Sequence, residues 1–416
     1  VRRLAIRVAA VLAAVSPGLV APSGSAAGAG AANAARAHGH SGSAAAGAAT
    51  ASFGLGLLRQ LPAGNLVVSP DSIATALAMA GTGAAGQTQR QIARVLHTPP
   101  SALSAIGRLQ PALIAEQSSS GGGHPPRLEI ANGLFVQRGF PVTSVLLRAL
   151  QGSFGAPAQA VDFKGDPAGA VRAVNGWVSE KTHGLIPTLL GPLLRSTRLL
   201  LASALYLHAL WAWPFNGEET QPGVFHSAAG AETVPFMNET AELPYAAGPG
   251  YAAVSLPYAG STLSLLVILP TGPTPAALES RLERQGLGPV VRELIPTSVD
   301  LGLPRFHLAF KQELNATLTA LGMPLAFSRQ AANFAGIDGG HPRLYVNLVA
   351  HAADLRVQES GTEAAAVTAI GIVEATGPSR RARFQADHPF LFFLRDGRTG
   401  AVLFEGRLAD AATAQR

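Results

Sequence analysis

With 416 residues, 48% of them hydrophobic and 13% charged, the chain can bury a large core. Its 31 Lys+Arg against 25 Asp+Glu leave a net charge of +6, much of it in two short basic stretches, one at each end; this argues against a general nucleic-acid surface, and no zinc-finger or aromatic-interleaved basic motif is present. The absence of Cys excludes a disulfide framework, a thiol nucleophile and a Cys-based zinc site.

The first residues, VRRLAIR, are basic, and VAAVLAAVSPGLVA behind them is apolar with small residues following. That is the layout of a secretory signal peptide, assigned to residues 1–27. Pro17 interrupts the run, which is too short for a spanning helix. Residues 28–45 are rich in Ala, Gly and Ser and read as a flexible linker. His38 and His40 lie there without a third ligand, so no metal is expected. From Ala46 the text is continuous, and 46–416 reads as one globular domain.

Within it, ATASFGLGLLRQL has helical spacing. NLVVSPDSIATALAMAGTGAAGQTQRQIARVL reads as a short strand followed by helices, with Ser69, Asp71 or Ser72 as the cap and Ala74, Leu77 and Ala78 as the inner face. AVRAVNGWVSEKTHGLI is a helix ending near Gly184. TRLLLASALYLHALWAWPF begins as a strand apolar on both faces. AAVSLPYAG and TLSLLVILP form a hairpin signal. VDLGLPRFHLAF alternates as one strand, and KQELNATLTALGM reads as a helix. PFLFFLR and AVLFEGRL flank DGRTG, where Asp396-Gly397 is a tight-turn dipeptide. Helices early and strands late predict an α+β domain.

The stretch ESGTEAAAVTA, Glu359 to Ala369, fits two states. Its alanines favour a helix. With period two, Thr362, Ala364, Ala366, Thr368, Ile370 and Ile372 share one face of a strand and Glu363 falls on the other. Catalytic patterns are missing: there is no G-x-S-x-G elbow, P-loop, H-E-x-x-H or dinucleotide fingerprint. Gly81 to Gly86 follow a helix and read as its end. Asp387 and His388 are adjacent, which on a strand turns them to opposite faces. No enzyme activity and no cofactor are expected.

Taken in order, NLVVSPDSI with ALAMAGTGAAGQT, VNGWVSEKTHGLI, LYLHALWAWPF with ETQPGVF, VSLPYAG with LVILP, LPRF, LNATLTALGM, ESGTEAAAVTA, FQADHPFLFFLRD and LFEGRL resemble the serpin family of serine-protease inhibitors over roughly residues 46–411. The resemblance implies N-terminal helices packed on three β-sheets with an exposed reactive-centre loop. It implies an irreversible suicide substrate: a serine endopeptidase cuts the loop, which then inserts as a strand in the main sheet and traps the acyl-enzyme. The implied partner is that protease, bound covalently by an extracellular monomer; no nucleic acid, membrane span or metal is implied.

The resemblance also assigns positions. Glu359, Gly361, Thr362, Glu363, Ala364, Ala365, Ala366 and Thr368 match the loop's hinge. Ser69, Ser72 and His351 match a polar cluster beneath the sheet, the shutter, with Ser203 where the family usually has Asn. Trp211 matches the breach, where the hinge enters the sheet, and Arg305 could pair there with Glu359. The family's spacing puts the reactive bond at Ala375–Thr376, with Val373 and Glu374 also open, which suits an elastase-like or subtilisin-like protease. SRRAR, containing Arg380, Arg381 and Arg383, reads as a solvated basic patch. The competing reading is a non-inhibitory member: a carrier, a chaperone or a plain protease substrate.

Overall fold

Strand Leu199–Leu210 occupies the centre of a six-stranded sheet because its apolar residues fill both parities. Leu199, Leu201, Leu205, Leu207 and Ala209 enter a large core. Leu200, Ala202 and Ala204 enter a smaller one, shared with Ala170, Val174 and Val178 of helix Pro167–Lys181. The computed structural model describes residues 26–119, 126–272, 274–340, 344–362 and 380–415. The sheet runs Phe306–Glu313, Leu348–Gln358, Gly361–Thr362, Leu199–Leu210, Arg127–Gln137, Gln159–Val161. Strand Leu348–Gln358 is parallel to Leu199–Leu210, from Leu348 opposite Leu200 to Ala353 opposite Leu205.

Where three sheets were expected, hydrogen bonding among the described residues makes two ladders. Gly230–Gly248, 19 residues long, pairs in turn with Gln221–Ser227, Ile295–Pro304 and Tyr251–Pro257, so one nine-stranded ladder runs through what would otherwise be two sheets. Its C-terminal part, Phe390–Asp396 and Val402–Leu408, is buried almost throughout, and its apolar residues join the large core.

Helix Pro70–Gly83 packs between the two sheets, and nearly every residue is buried. Ser69 caps it: its hydroxyl accepts the Ser72 N–H, and Pro70 takes the first helical position, where no N–H is needed. The chain divides into a unit up to Ser41 and a second from Gly42 on. Residues 28–45, read as linker, are helical as part of Ala26–Gln60, which their alanines favour. Residues 1–25, where the leader reading falls, lie outside the described residues.

Three local readings are corrected. VDLGLPRFHLAF is two strands, Ile295–Pro304 and Phe306–Glu313, in different sheets on either side of Arg305. KQELNATLTALGM is helical only over Asn315–Ala320, and its first residues finish a strand. In DGRTG the left-handed residue is Gly400 (φ +74°), and Asp396 closes the loop by accepting the Thr399 N–H at 2.7 Å. No helix among the described residues is long and apolar enough to cross a membrane.

Candidate functional site

The central sheet has a seam between Leu199–Leu210 and Leu348–Gln358. Beyond Ala353 and Leu205 the two strands no longer pair directly, and Gly361–Thr362 enters between them. It is antiparallel to both: Thr362 lies opposite Val357 on one side and Ala209 on the other. Paired residues share a face, so Thr362 points with Val357 and Ala209 into the large core. Thr362 is 1% exposed, and its Oγ1 lies 2.6 Å from the Tyr258 hydroxyl. This is the parity read from the sequence for the first position of the small-residue row.

Each neighbour of this two-residue strand has a physical reason to be there. Gly361 has φ +153°, and a Cβ on it would collide with the Ala209 carbonyl, so the pivot admits only glycine without a backbone shift. Trp211 stacks on Tyr258 with ring centroids 4.5 Å apart. Its Nε1 donates to the Gln358 carbonyl at 2.9 Å, and its backbone N–H donates to the Ser360 carbonyl at 3.0 Å. Phe215 N–H donates to the Glu359 carbonyl at 2.9 Å. The Glu359 carboxylate accepts from Thr220 Oγ1 at 2.9 Å and lies 3.5 Å from Arg305 Nη1. The hairpin turn before the seam is therefore held at both backbone and side chain. Burial holds the Tyr258 phenol far above its ordinary range, so it stays a neutral hydroxyl beside Thr362.

Below this opening the seam is shut. His351 on one strand faces Ser203 on the other, in register and fully buried. His351 Nε2 accepts the Ser69 N–H at 3.1 Å, which puts the ring proton on Nδ1, 3.2 Å from Ser203 Oγ. Ser203 then donates to Ser72 Oγ at 2.9 Å and Ser72 to Asn132 Oδ1 at 2.7 Å. Asn132 donates to Gln110 Oε1 at 2.9 Å, and Gln110 to Asp71 Oδ2 at 2.8 Å. Every bond points the same way, from His351 to Asp71. Burial pushes the His351 imidazole down to about 3, so the ring is neutral here.

The structure thus brings together Ser69, Ser72, Ser203 and His351 in one place, and Trp211, Arg305, Glu359, Gly361 and Thr362 in another. The sequence reading missed Asn132, Gln110 and Asp71 in the first group and Tyr258, Thr220 and Phe215 in the second. Asn132 lies directly across from Ser203 on the next strand, so the asparagine looked for at 203 has a counterpart one strand over. A lone amide inside the apolar run of Arg127–Gln137 was the available signal. Glu363, Ala364, Ala365, Ala366, Thr368, Ala375 and Thr376 lie outside the described residues.

Asp387 and His388 also require correction. They do not diverge: His388 Nδ1 lies 2.7 Å from Asp387 Oδ1, because residues 386–389 leave the strand before Phe390. The other ring nitrogen faces the Pro270 carbonyl at 2.8 Å, so both nitrogens are committed to holding this turn. Among the described residues no group of three His, Asp or Glu is placed to hold a metal ion.

The family model for serpins (serine protease inhibitors) matches residues 48–411. An uncharacterized serpin-like protein of Thermococcus kodakarensis is 36% identical, over 83% of this chain and 80% of its own. A leukocyte elastase inhibitor of Sus scrofa is 34% identical over 86% and 97%. Among solved structures, Serpin48 of Tenebrio molitor superposes with a TM-score of 0.75 at 29% identity, covering 87% of this chain and 97% of that one.

Proposed function

The chain belongs to the serpin family, and on that premise we propose that it is an irreversible inhibitor of serine endopeptidases, acting by insertion of its cut loop along the seam. The observation that carries this reading is the strand Gly361–Thr362, already seated antiparallel between two parallel strands, with a small neutral side chain on the core face. Continuing the same parity puts Ala364, Ala366 and Thr368 on that face. None would bring charge or bulk into the interior. Completing the strand adds about ten ladder hydrogen bonds at ~1 kcal/mol each, together with apolar burial. The gain is on the order of 10 kcal/mol, comparable to the stability of a whole domain. The intact protein is then metastable, restrained by the closed loop until a protease opens it.

The reactive bond in this reading is Ala375–Thr376, and the small Ala375 side chain fits a shallow specificity pocket of elastase-like or subtilisin-like type. Incubation with such a protease is expected to give an SDS-stable complex and a released C-terminal peptide beginning at Thr376. Cleavage with no stable complex would contradict inhibition and make the protein a carrier or a plain substrate. Export, supported by the layout of residues 1–27, is tested by N-terminal sequencing of protein from the culture medium.

A further inference from the structure

The hydrogen-bond chain that crosses the seam ends on a group that can ionise. It ends on Asp71, a carboxyl with no exposed surface, in the first turn of helix Pro70–Gly83. Its Oδ2 accepts from Gln110, while among the described residues its Oδ1 has no hydrogen-bond partner. Thr75, four residues on and hence on the same face of the helix, also has a buried hydroxyl without one. A carboxylate here would be a full charge in the core with a single side-chain donor. A neutral carboxyl fits instead, carrying its proton on the otherwise unused Oδ1. The first-turn position favours the anion through the helix dipole, but burial outweighs it and pushes the carboxyl up to about 7.

We propose that Asp71 is a proton-held latch on the seam: while its carboxyl is neutral the chain from His351 closes, and loss of that proton weakens the strand pairing through which the loop must enter. Gln110 is the transmitting residue, because its one amide serves Asp71 with the nitrogen and Asn132 with the oxygen. An ionised Asp71 competes for that amide and for further donors, and any shift of Gln110 is felt at Asn132, Ser72, Ser203 and His351 in turn.

Among the described residues no counter-charge faces Asp71. Helix Leu103–Ser119 presents Gln110, and strands Arg127–Gln137 and Leu199–Leu210 present Asn132 and Ser203. Strand Leu348–Gln358 presents the neutral His351. From Val402–Leu408 comes Glu405, fully buried behind Gly54 and Pro70, with both carboxyl oxygens unpartnered among the described residues and its own protonation favoured by burial. Arg407 on that strand is committed to Glu279 at 2.6 Å. Arg90, Arg94, Arg148 and Asp338 lie on the helices that pack at the helix's far end, around Gly81 and Gly83.

The sign follows from the direction of the shift. A carboxyl whose proton is held more tightly in the folded chain than at the ordinary 3.8 contributes fully below that value, and its contribution is lost as pH rises through about 7. Urea unfolding of the intact full chain and of D71N, between about pH 6 and pH 8.5, tests it. The apparent unfolding constant of the unsubstituted chain is expected to rise about tenfold more than that of D71N over this range. Equal pH dependence in the two overturns the latch. Should D71N fail to fold, infrared spectroscopy of E405Q decides: a protonated carboxyl band that disappears near neutral pH is expected, and its absence overturns the proposal. Entry of the loop along the seam rests on the inhibitory function proposed above; the proton on Asp71 does not. Unfolding involves no protease, so either idea can fail without the other.

Discussion

The two stretches of the seam use the same pair of strands in opposite ways. Near Leu210 the strands are parted by Gly361–Thr362, and the residues around them, Trp211, Tyr258, Thr220 and Arg305, hold a turn in place. Toward Leu199 the strands touch, and a buried hydrogen-bond chain ties one to the other through His351 and Ser203. Thr362 and His351 are both buried, yet beside the first a third strand separates the pair and at the second the two strands meet directly. In the proposed mechanism, insertion is a question of extension rather than of entry, and each further step would require breaking His351 to Ser203.

The largest effect on this contrast is expected at the open stretch. Thr362→Arg would force a cation against Val357, Ala209 and the Tyr258 hydroxyl, where an uncompensated charge costs several kcal/mol. SDS gels are expected to show cleavage by the protease with no complex; retained complex would contradict the parity assigned to the hinge. At the closed stretch, acid is the next strongest lever. Burial holds the folded imidazole of His351 down at about 3 against an ordinary 6.5, so its contribution is full above pH 6.5 and is lost as pH falls from there toward 3. That loss is on the order of 5 kcal/mol in total. Urea midpoints from about pH 7 to pH 4 should fall more steeply for the unsubstituted chain than for H351Q.

Asn132→Ala removes the acceptor of the Ser72 hydroxyl proton and the donor to the Gln110 carbonyl in the core, which is expected to cost about 1–3 kcal/mol in urea unfolding. An effect near zero would mean that the chain does not clamp the seam. The smallest change is expected for Arg305→Ala. Its side chain is 47% exposed and its Nη1 lies 3.5 Å from Glu359, so unfolding should shift by less than about 1 kcal/mol.

The open stretch was the more legible of the two in the sequence. Gly361 and the small residues after it announce a backbone pivot and a row able to enter a sheet, and period two alone assigns Thr362 its face. The closed stretch was legible only as positions matched to a family. Its chain is assembled from a helix cap, a second helix and three strands, and nothing in local periodicity says that Gln110 meets Asp71 or that Asn132 meets Ser72. Periodicity also carried a signal that the reading passed over. Val299, Leu301 and Leu303 are odd-numbered and Phe306 and Leu308 even, so the alternation of VDLGLPRFHLAF changes phase at Pro304-Arg305, although all five point into the same large core from two different sheets. One buried face can be supplied by two strands, and the change of phase is what marks where the first stops.

Melting the same preparation before and after a single cut within the loop tests the central claim most directly. The cut protein is expected to melt well above the intact one, because the freed segment can extend Gly361–Thr362 down the seam. Equal or lower melting after the cut would mean that no stored stability exists, and the seam would then be an ordinary strand junction.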